Sequence, residues 1–428
     1  MARFVKAALL ALVCLMAVSL AAQDAPVISD ALLADVLEIE TLVSGTRGIT
    51  PLIPVDRRFP SSEEVQTFLR NSIDEQLTPE YERQAESFYV AFGFIEPTLD
   101  LKETFLALLQ DQVAGYYDPD SKTMNTILIS DGELGDELPA LEKIIYAHEF
   151  VHALQDQRFD LNSLGYDVDP AEAEADVLLA VQALVEGDAT FVMNLYTQAL
   201  IEANPMAAFG ILSSSLASGG GTLPANTPDI LSAELLFPYT TGLSFVTDLI
   251  ASGDYAVVDA AFSNLPQSTE QVLHPEKYLA GEAPIVVTLT LPENLLGGGW
   301  TFVDEATFGE FYLQQFLGLQ LSRTEANSAA AGWGGDRFVI YSDASGQHAL
   351  ALEIAWDTDA DQQEFHAAMQ TWATEGNYPL MPPASAYCYD TVNIAAGRYL
   401  CINLRVAGTP TRISRAPDVE QALTLLQR

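Results

Sequence analysis

Glu137 to Gln157 reads ELPALEKIIYAHEFVHALQDQ, and the reading of this stretch decides how the rest of the chain is organised. Leu141, Ile145, His148 and His152 recur at helical spacing, so they share one stripe of a helix. Asp136 is in position to cap that helix, and Pro139 falls in its first turn. Ala147, Phe150 and Leu154 occupy other faces, which predicts burial on most sides. The chain has only five histidines, and two of them stand four residues apart around Glu149. On a helix, imidazoles at that spacing reach one metal ion, and burying both without a partner would be costly. Glu149 lies beside the same point, where its carboxylate can act as a base toward water.

A zinc ion held for catalysis takes three protein ligands and keeps one position open. His274, His348 and His366 are remote from the motif in sequence, whereas Asp169 to Tyr196 forms a second helix with two candidate glutamates. Glu172 stands twenty residues after His152, with Asp176 four further on. However, Asp169-Pro170-Ala171-Glu172 reads as a capping box, which accounts for Glu172 without a metal. Glu186 follows Ala183-Leu184-Val185, where an unpaired carboxylate is hard to bury. Glu186 is therefore favoured as the third ligand. Gly187 beside it allows close helix approach, and Asp188 is placed to accept a hydrogen bond from the far nitrogen of a ligating histidine.

Residues 1–22, MARFVKAALLALVCLMAVSLAA, combine a basic start at Arg3 and Lys6, an apolar run and small residues at a cleavage site. This is the pattern of a secretory signal, which places the protein outside the cell, or in the cell envelope if the signal is retained. Cys14 lacks the small residues that precede a lipid-modified cysteine. Without the signal two cysteines are left, Cys388 and Cys401, on two strand-like runs around Ala-Ala-Gly; a disulfide between them suits an oxidising compartment. The 428 residues carry 59 acidic and 19 basic side chains, a net charge of −40. Such a surface repels nucleic acid and anionic membranes, so neither is expected as a partner, and no later segment is apolar enough for stable membrane association. An apolar content of 49% argues against disorder.

Outward from the motif, residues 23–60 read as a loose lead-in. Three helices follow, capped by Ser61, Thr78 and Asp100. Gly115-Tyr116-Tyr117 and Thr126 to Ile129 flank Asp118-Pro119-Asp120-Ser121 as a hairpin. Ser213–Pro228 reads as a loop, and Phe237–Val246 starts a helix that packs on the motif pair. After residue 282 the texture changes: Ile285–Thr290 reads as a strand, and Thr307–Gly318 as a helix. Two strands, a helix, the cysteine hairpin and a terminal helix then alternate, with Trp333 as a packing corner and His348 and His366 as ordinary sheet or surface residues. The triple-glycine runs lack the Lys-Ser/Thr of a phosphate loop. The fold class is α+β: a mostly helical, zincin-like domain over 23–282 with a hairpin edge strand, then a smaller α+β domain over 283–428 with an antiparallel sheet.

These motifs resemble the zinc-dependent metallopeptidases of the gluzincin type, which carry HExxH on one helix and a glutamate on the next. The likeness is closer to a group of uncharacterised secreted bacterial proteins sharing AGYYDP, HEFVHALQDQ, ALVEGDAT, STEQVLHPEKY and GWGGDRFV, over roughly residues 90–345. The resemblance implies Zn2+ at His148, His152 and Glu186, Glu149 as the catalytic carboxylate, and a peptide or protein substrate. It also implies an edge strand on which an extended peptide can add. His274, with Tyr278 behind it, is the candidate donor to a developing oxyanion. Two alternatives stand beside a peptidase: a binding protein with a structural zinc, and a zinc amidase acting on non-peptide amides. A structural zinc would not need Glu149, and its fourth position would be closed by Cys or His.

Overall fold

A computed structural model of the chain describes residues 28–112, 115–127, 135–164, 174–217, 223–224, 226–381, 386–391 and 397–427. The signal-like segment 1–22, Leu128 and Ile129, Glu172 with its capping box, and the tip of the cysteine hairpin lie outside them. The lead-in is not loose: α1 (Asp30–Arg47) is an 18-residue helix. Ser29 caps its start, Gly48 ends it in the left-handed region at φ 77°, and Leu32, Val36, Ile39 and Val43 form its buried face. The stop signal, Arg47 before Gly48, was legible; the prolines that follow concealed it.

Helices α2 (Ser62–Gln76), α3 (Pro79–Phe92) and α4 (Leu101–Gln112) start where the sequence predicts. Ser61 makes a capping box with Glu64, Thr78 accepts from the N–H of Tyr81, and Asp100 accepts from that of Glu103. Strand β1 (Asp56–Arg58) runs parallel to β3 (Thr123–Thr126), which pairs antiparallel with β2 (Gly115–Asp118). In the order β1-β3-β2 the predicted hairpin is real, and β2 ends the sheet.

The motif helix α5 (Ala140–Phe159) crosses α6 (Ala175–Ala203). Its start lies three residues later than predicted, after Pro139 and without a side-chain cap of its own. Asp136 instead accepts from the hydroxyl of Ser29, and the orphan N–H of Leu138 goes to Asp35 of α1 at 2.9 Å. Helix α7 (Met206–Ala217) replaces the start of the expected loop. Helix α8 (Asp229–Gly253) begins eight residues before Phe237 and runs through Pro238. It lies against α6 because two glycines face each other. A Cβ on Gly242 would stand 2.2 Å from the carbonyl oxygen of Ala183, and one on Gly187 would stand 2.2 Å from that of Gly242.

Short helices α9 (Tyr255–Ala261), α10 (Thr269–Leu273) and α11 (Pro275–Ala280) lead to the C-terminal region. Residues 285–290 form no strand; Ile285 makes a single backbone bond to Gly334. Two elements the sequence reading lacks, β4 (Trp300–Ala306) and α13 (Arg323–Ala330), flank α12 (Gly309–Gly318). They are followed by β5 (Trp333–Asp343), β6 (His348–Trp356), α14 (Asp359–Glu375), β7 (Leu380–Met381), β8 (Ala386–Asp390), β9 (Tyr399–Asn403), β10 (Thr411–Ala416) and α15 (Val419–Leu426). The seven strands form one antiparallel sheet in the order β4-β5-β6-β10-β9-β8-β7. The architecture is α+β, as the patterning predicts. Cys388 and Cys401 are directly opposed on β8 and β9 and form the predicted disulfide. Among the described residues no helix is long and apolar enough to cross a membrane.

One apolar core runs across residue 283. Phe88 and Phe92 of α3 pack against Phe308, Tyr312 and Phe338, mostly edge to face, the closest pair being the stacked Phe92 and Phe308 at 4.1 Å. Trp333 is fully buried in the same core, donating its indole N–H to Asp336. Polar contacts cross it too: Arg415 of β10 donates to the carbonyl of Ala91, and His348 of β6 meets Ser87 at 3.0 Å. Glu234 of α8 sits inside this core, accepting from the hydroxyl of Tyr89 at 2.8 Å. Burial pushes its carboxyl up to about 7, against the lowering effect of Tyr312 and Tyr89.

Gly242→Ala should destabilise by about 3 kcal/mol or more, because backbone rather than a flexible side chain meets the new methyl. Gly45→Ala, in open space on α1, should stabilise by about 0.5–1 kcal/mol. Denaturant unfolding of both reads the opposite signs. For Glu234, the folded value lies above the ordinary 4.5, so its contribution is fully present below pH 4.5 and is lost as pH rises toward 7. Relative to Glu234→Gln, the native chain should therefore lose on the order of 3 kcal/mol between those limits. A pH series of unfolding midpoints with parallel slopes for the two proteins would contradict this.

Candidate metal centre

Helix α5 is held in place by α1. Lys143 pairs with Asp35 at 2.6 Å, and the hydroxyl of Tyr146 donates to Glu40 at 2.6 Å, which also takes both arms of Arg57 from β1. On this fixed helix His148 and His152 project together, with their Nε2 atoms 3.1 Å apart. Glu186 of α6 completes the group: its Oε2 lies 3.0 Å from Nε2 of His148 and 3.5 Å from Nε2 of His152. Ligands about 2.0–2.2 Å from a tetrahedral zinc stand about 3.3 Å from one another. Two nitrogens and one carboxylate oxygen at 3.0, 3.1 and 3.5 Å match that spacing. All three side chains are buried, Glu186 completely.

Charge complements shape. Burial opposes ionisation of Glu186, yet His152 and His148 outweigh it and hold the carboxyl well below its ordinary range. Burial likewise opposes a charge on His152, but the Glu186 carboxylate raises it to about 9. Glu149 is buried beside the group without belonging to it. Desolvation pushes its carboxyl up, the histidines pull it down, Glu186 raises it further, and the backbone of Tyr117 acts to lower it. Tyr117 lies in β2, so the edge strand sits directly on the site. A Cβ on Gly115 would come within 3.2 Å of Cγ of Glu149 and 2.8 Å of Ile145. The hydroxyl of Tyr117 donates to Asp156 of α5, which also pairs with Lys122 of the hairpin.

Asp188 does not reach a ligating histidine, in contrast to the sequence reading. Gln155 intervenes: it lies 2.9 Å from Nδ1 of His152 and 2.9 Å from Asp188. Asp188 in turn is paired with Arg47, the last residue of α1, at 2.8 Å. Neither Gln155 nor Arg47 stood out in the sequence. Gln155 is one helical turn beyond His152, which is a signal of proximity, whereas nothing local ties Arg47 to a residue 141 positions away. Tyr239 was also missed. Its ring lies 6.0 Å from that of His148, and nothing distinguishes it in sequence from the other fifteen of the chain's 16 tyrosines.

The remaining predicted residues are bonded to other groups. His274 is tied to Glu310, with Nε2 3.0 Å from its carboxylate, and Nδ1 faces Glu276 at 3.8 Å. The hydrogen bond to Glu310 raises its titration. It joins none of the three ligands, and Tyr278 behind it donates to the carbonyl of Asn264. Asp176 receives the N–H and hydroxyl of Thr269 at the N-terminal end of α6. That is ten residues, or about 15 Å of helix, from Glu186. His366 bonds to Thr411. Glu270, Glu282 and Asp357 form a second acidic group around Lys277, which satisfies all three.

A family model described as a domain of unknown function, DUF8575, matches residues 296–425, the C-terminal region beyond the metal centre. No curated protein matches the chain. No solved structure matches it either.

Proposed function

We propose that the protein is a secreted zinc-dependent metallopeptidase, with His148, His152 and Glu186 as metal ligands and Glu149 as general base. The observation that carries this reading is the convergence of two imidazole nitrogens and one carboxylate oxygen at zinc-ligand spacing, beside a second buried acid, Glu149, outside that group. Zinc held there supplies a Lewis acid for a scissile carbonyl and makes water acidic enough to lose a proton near neutral pH. The carboxylate of Glu149 takes the proton of the attacking water and returns it to the leaving amine as the C–N bond breaks. Burial, which raises this carboxyl, suits a group that must both accept and give a proton. Tyr239, half-buried beside His148, is the candidate donor to the developing oxyanion in place of His274.

The substrate reading rests on β2. It is an edge strand in contact with Glu149, and an extended peptide can add to such an edge by backbone hydrogen bonds. This favours a peptide over a non-peptide amide. A structural zinc is disfavoured because the described residues offer three ligands and leave an acid beside them. The signal-like N-terminus and the disulfide support secretion.

Purified protein should bind one zinc per chain and cleave a denatured protein or a diverse peptide library. Glu149→Gln should lower cleavage by about 10²–10⁴-fold while zinc content stays unchanged. Full activity in that variant would overturn the mechanism. Glu186→Ala should lose zinc, whereas Glu172→Ala should keep it; the reverse pattern would move the third ligand to Glu172.

A further inference from the structure

Gln155 offers its side-chain amide to three groups, and their chemistry leaves it one orientation. Its Nε2 lies 3.0 Å from the carbonyl oxygen of Val185 and 2.9 Å from Oδ2 of Asp188. A carbonyl can only accept, and so does the Asp188 carboxylate, which already takes the guanidinium of Arg47 in a pair with almost no solvent exposure. Turning the amide over would set its oxygen against two acceptors. The NH2 group therefore faces Val185 and Asp188, and Oε1 faces Nδ1 of His152 at 2.9 Å. An amide oxygen has no proton to give. Nδ1 of His152 must carry the hydrogen, and the neutral ring then has its lone pair on Nε2, the atom that points at His148 and Glu186.

We propose that Gln155 is a positioning residue of the metal centre: it selects the His152 tautomer that leaves Nε2 bare, and Asp188 and Arg47 hold it in that orientation. This rests on the reading of His148, His152 and Glu186 as metal ligands. The two histidines are then unequal, because Nδ1 of His148 is buried and has no hydrogen-bond partner among the described residues. A neutral amide in this place also differs from a carboxylate. It fixes the ring without adding charge, and the charge of Asp188 behind it is offset by Arg47, whose other arm pairs with Asp259 at 2.6 Å. Less negative charge is passed to the metal than a direct carboxylate–histidine contact would pass. The last residue of α1 is thereby connected to a metal ligand through two side chains.

The test uses the full chain loaded with zinc and labelled with ¹⁵N in its histidines, of which there are only five. In the native protein His152 should show a protonated Nδ1 and a metal-bound Nε2. This measurement needs no variant, and a metal bound through Nδ1 would overturn the proposal. Gln155→Met, of similar shape but without donor or acceptor, should weaken zinc binding about 10–100-fold in a chelator competition and remove the slow-exchanging Nδ1 proton. A variant that is only less stable, with native zinc affinity per folded molecule and the same histidine signals, would also overturn it. Zinc binding with the predicted tautomer but no peptide cleavage would sink the peptidase and leave this role standing. Cleavage with unchanged zinc affinity in Gln155→Met would do the reverse.

Discussion

Glu186 is buried completely in the middle of α6, and a lone carboxylate there would cost several kcal/mol. Its partners are the two imidazoles of α5, so α5 has to cross α6 at this turn. The next two residues fix two more neighbours. Gly187 has no side chain where the backbone of Gly242 in α8 arrives, and Asp188 takes Gln155 of α5 and Arg47 of α1. Successive residues of a helix point about 100° apart, so these three consecutive positions between them reach α5, α8 and α1. The helical half of the protein is arranged around Glu186, Gly187 and Asp188.

Basic residues are scarce in this chain, and their placement is correspondingly informative. Arg47, Arg57, Lys122 and Lys143 all act around α5, each joined to an acid on another element: Asp188, Glu40, Asp156 and Asp35. Surface pairs of this kind would contribute little. Here the Arg47–Asp188 pair is almost without exposure, where removing one partner strands the other and screening by salt is weak. A net charge of −40 thus coexists with four cation–acid pairs around the candidate metal centre.

The grouping of His148, His152 and Glu186 was legible because burial cost is a local property. Glu186 stands within an apolar run, the histidines share a helical face, and the caps Ser61, Thr78 and Asp100 each act within four residues of their own position. What the sequence concealed was contact at long range. Asp136 looks like a cap for α5, but the N–H it would satisfy is taken by Asp35, about a hundred residues earlier. Asp188 looks like a histidine partner until Gln155 is seen between them. Strand β4 carries a weak local pattern and is held by pairing with β5, which periodicity does not encode, whereas α13 has a local start signal in the capping box of Ser322 and Glu325. Ile285–Thr290 shows the converse: β-branched residues favour a strand, but no sheet edge receives them.

The aromatic core shared by α3 and the seven-stranded sheet separates two units that are easily confused. Residues 296–425 are a unit of sequence similarity. Within that unit Phe308, Tyr312 and Phe338 finish their packing on Phe88 and Phe92, some two hundred residues earlier. Excised at those bounds, the segment would bare a strip of aromatic surface of roughly several hundred Å². The bounds of that similarity therefore run through the middle of a shared aromatic core. In this chain the helical face of α3 is what completes the packing of the matched segment.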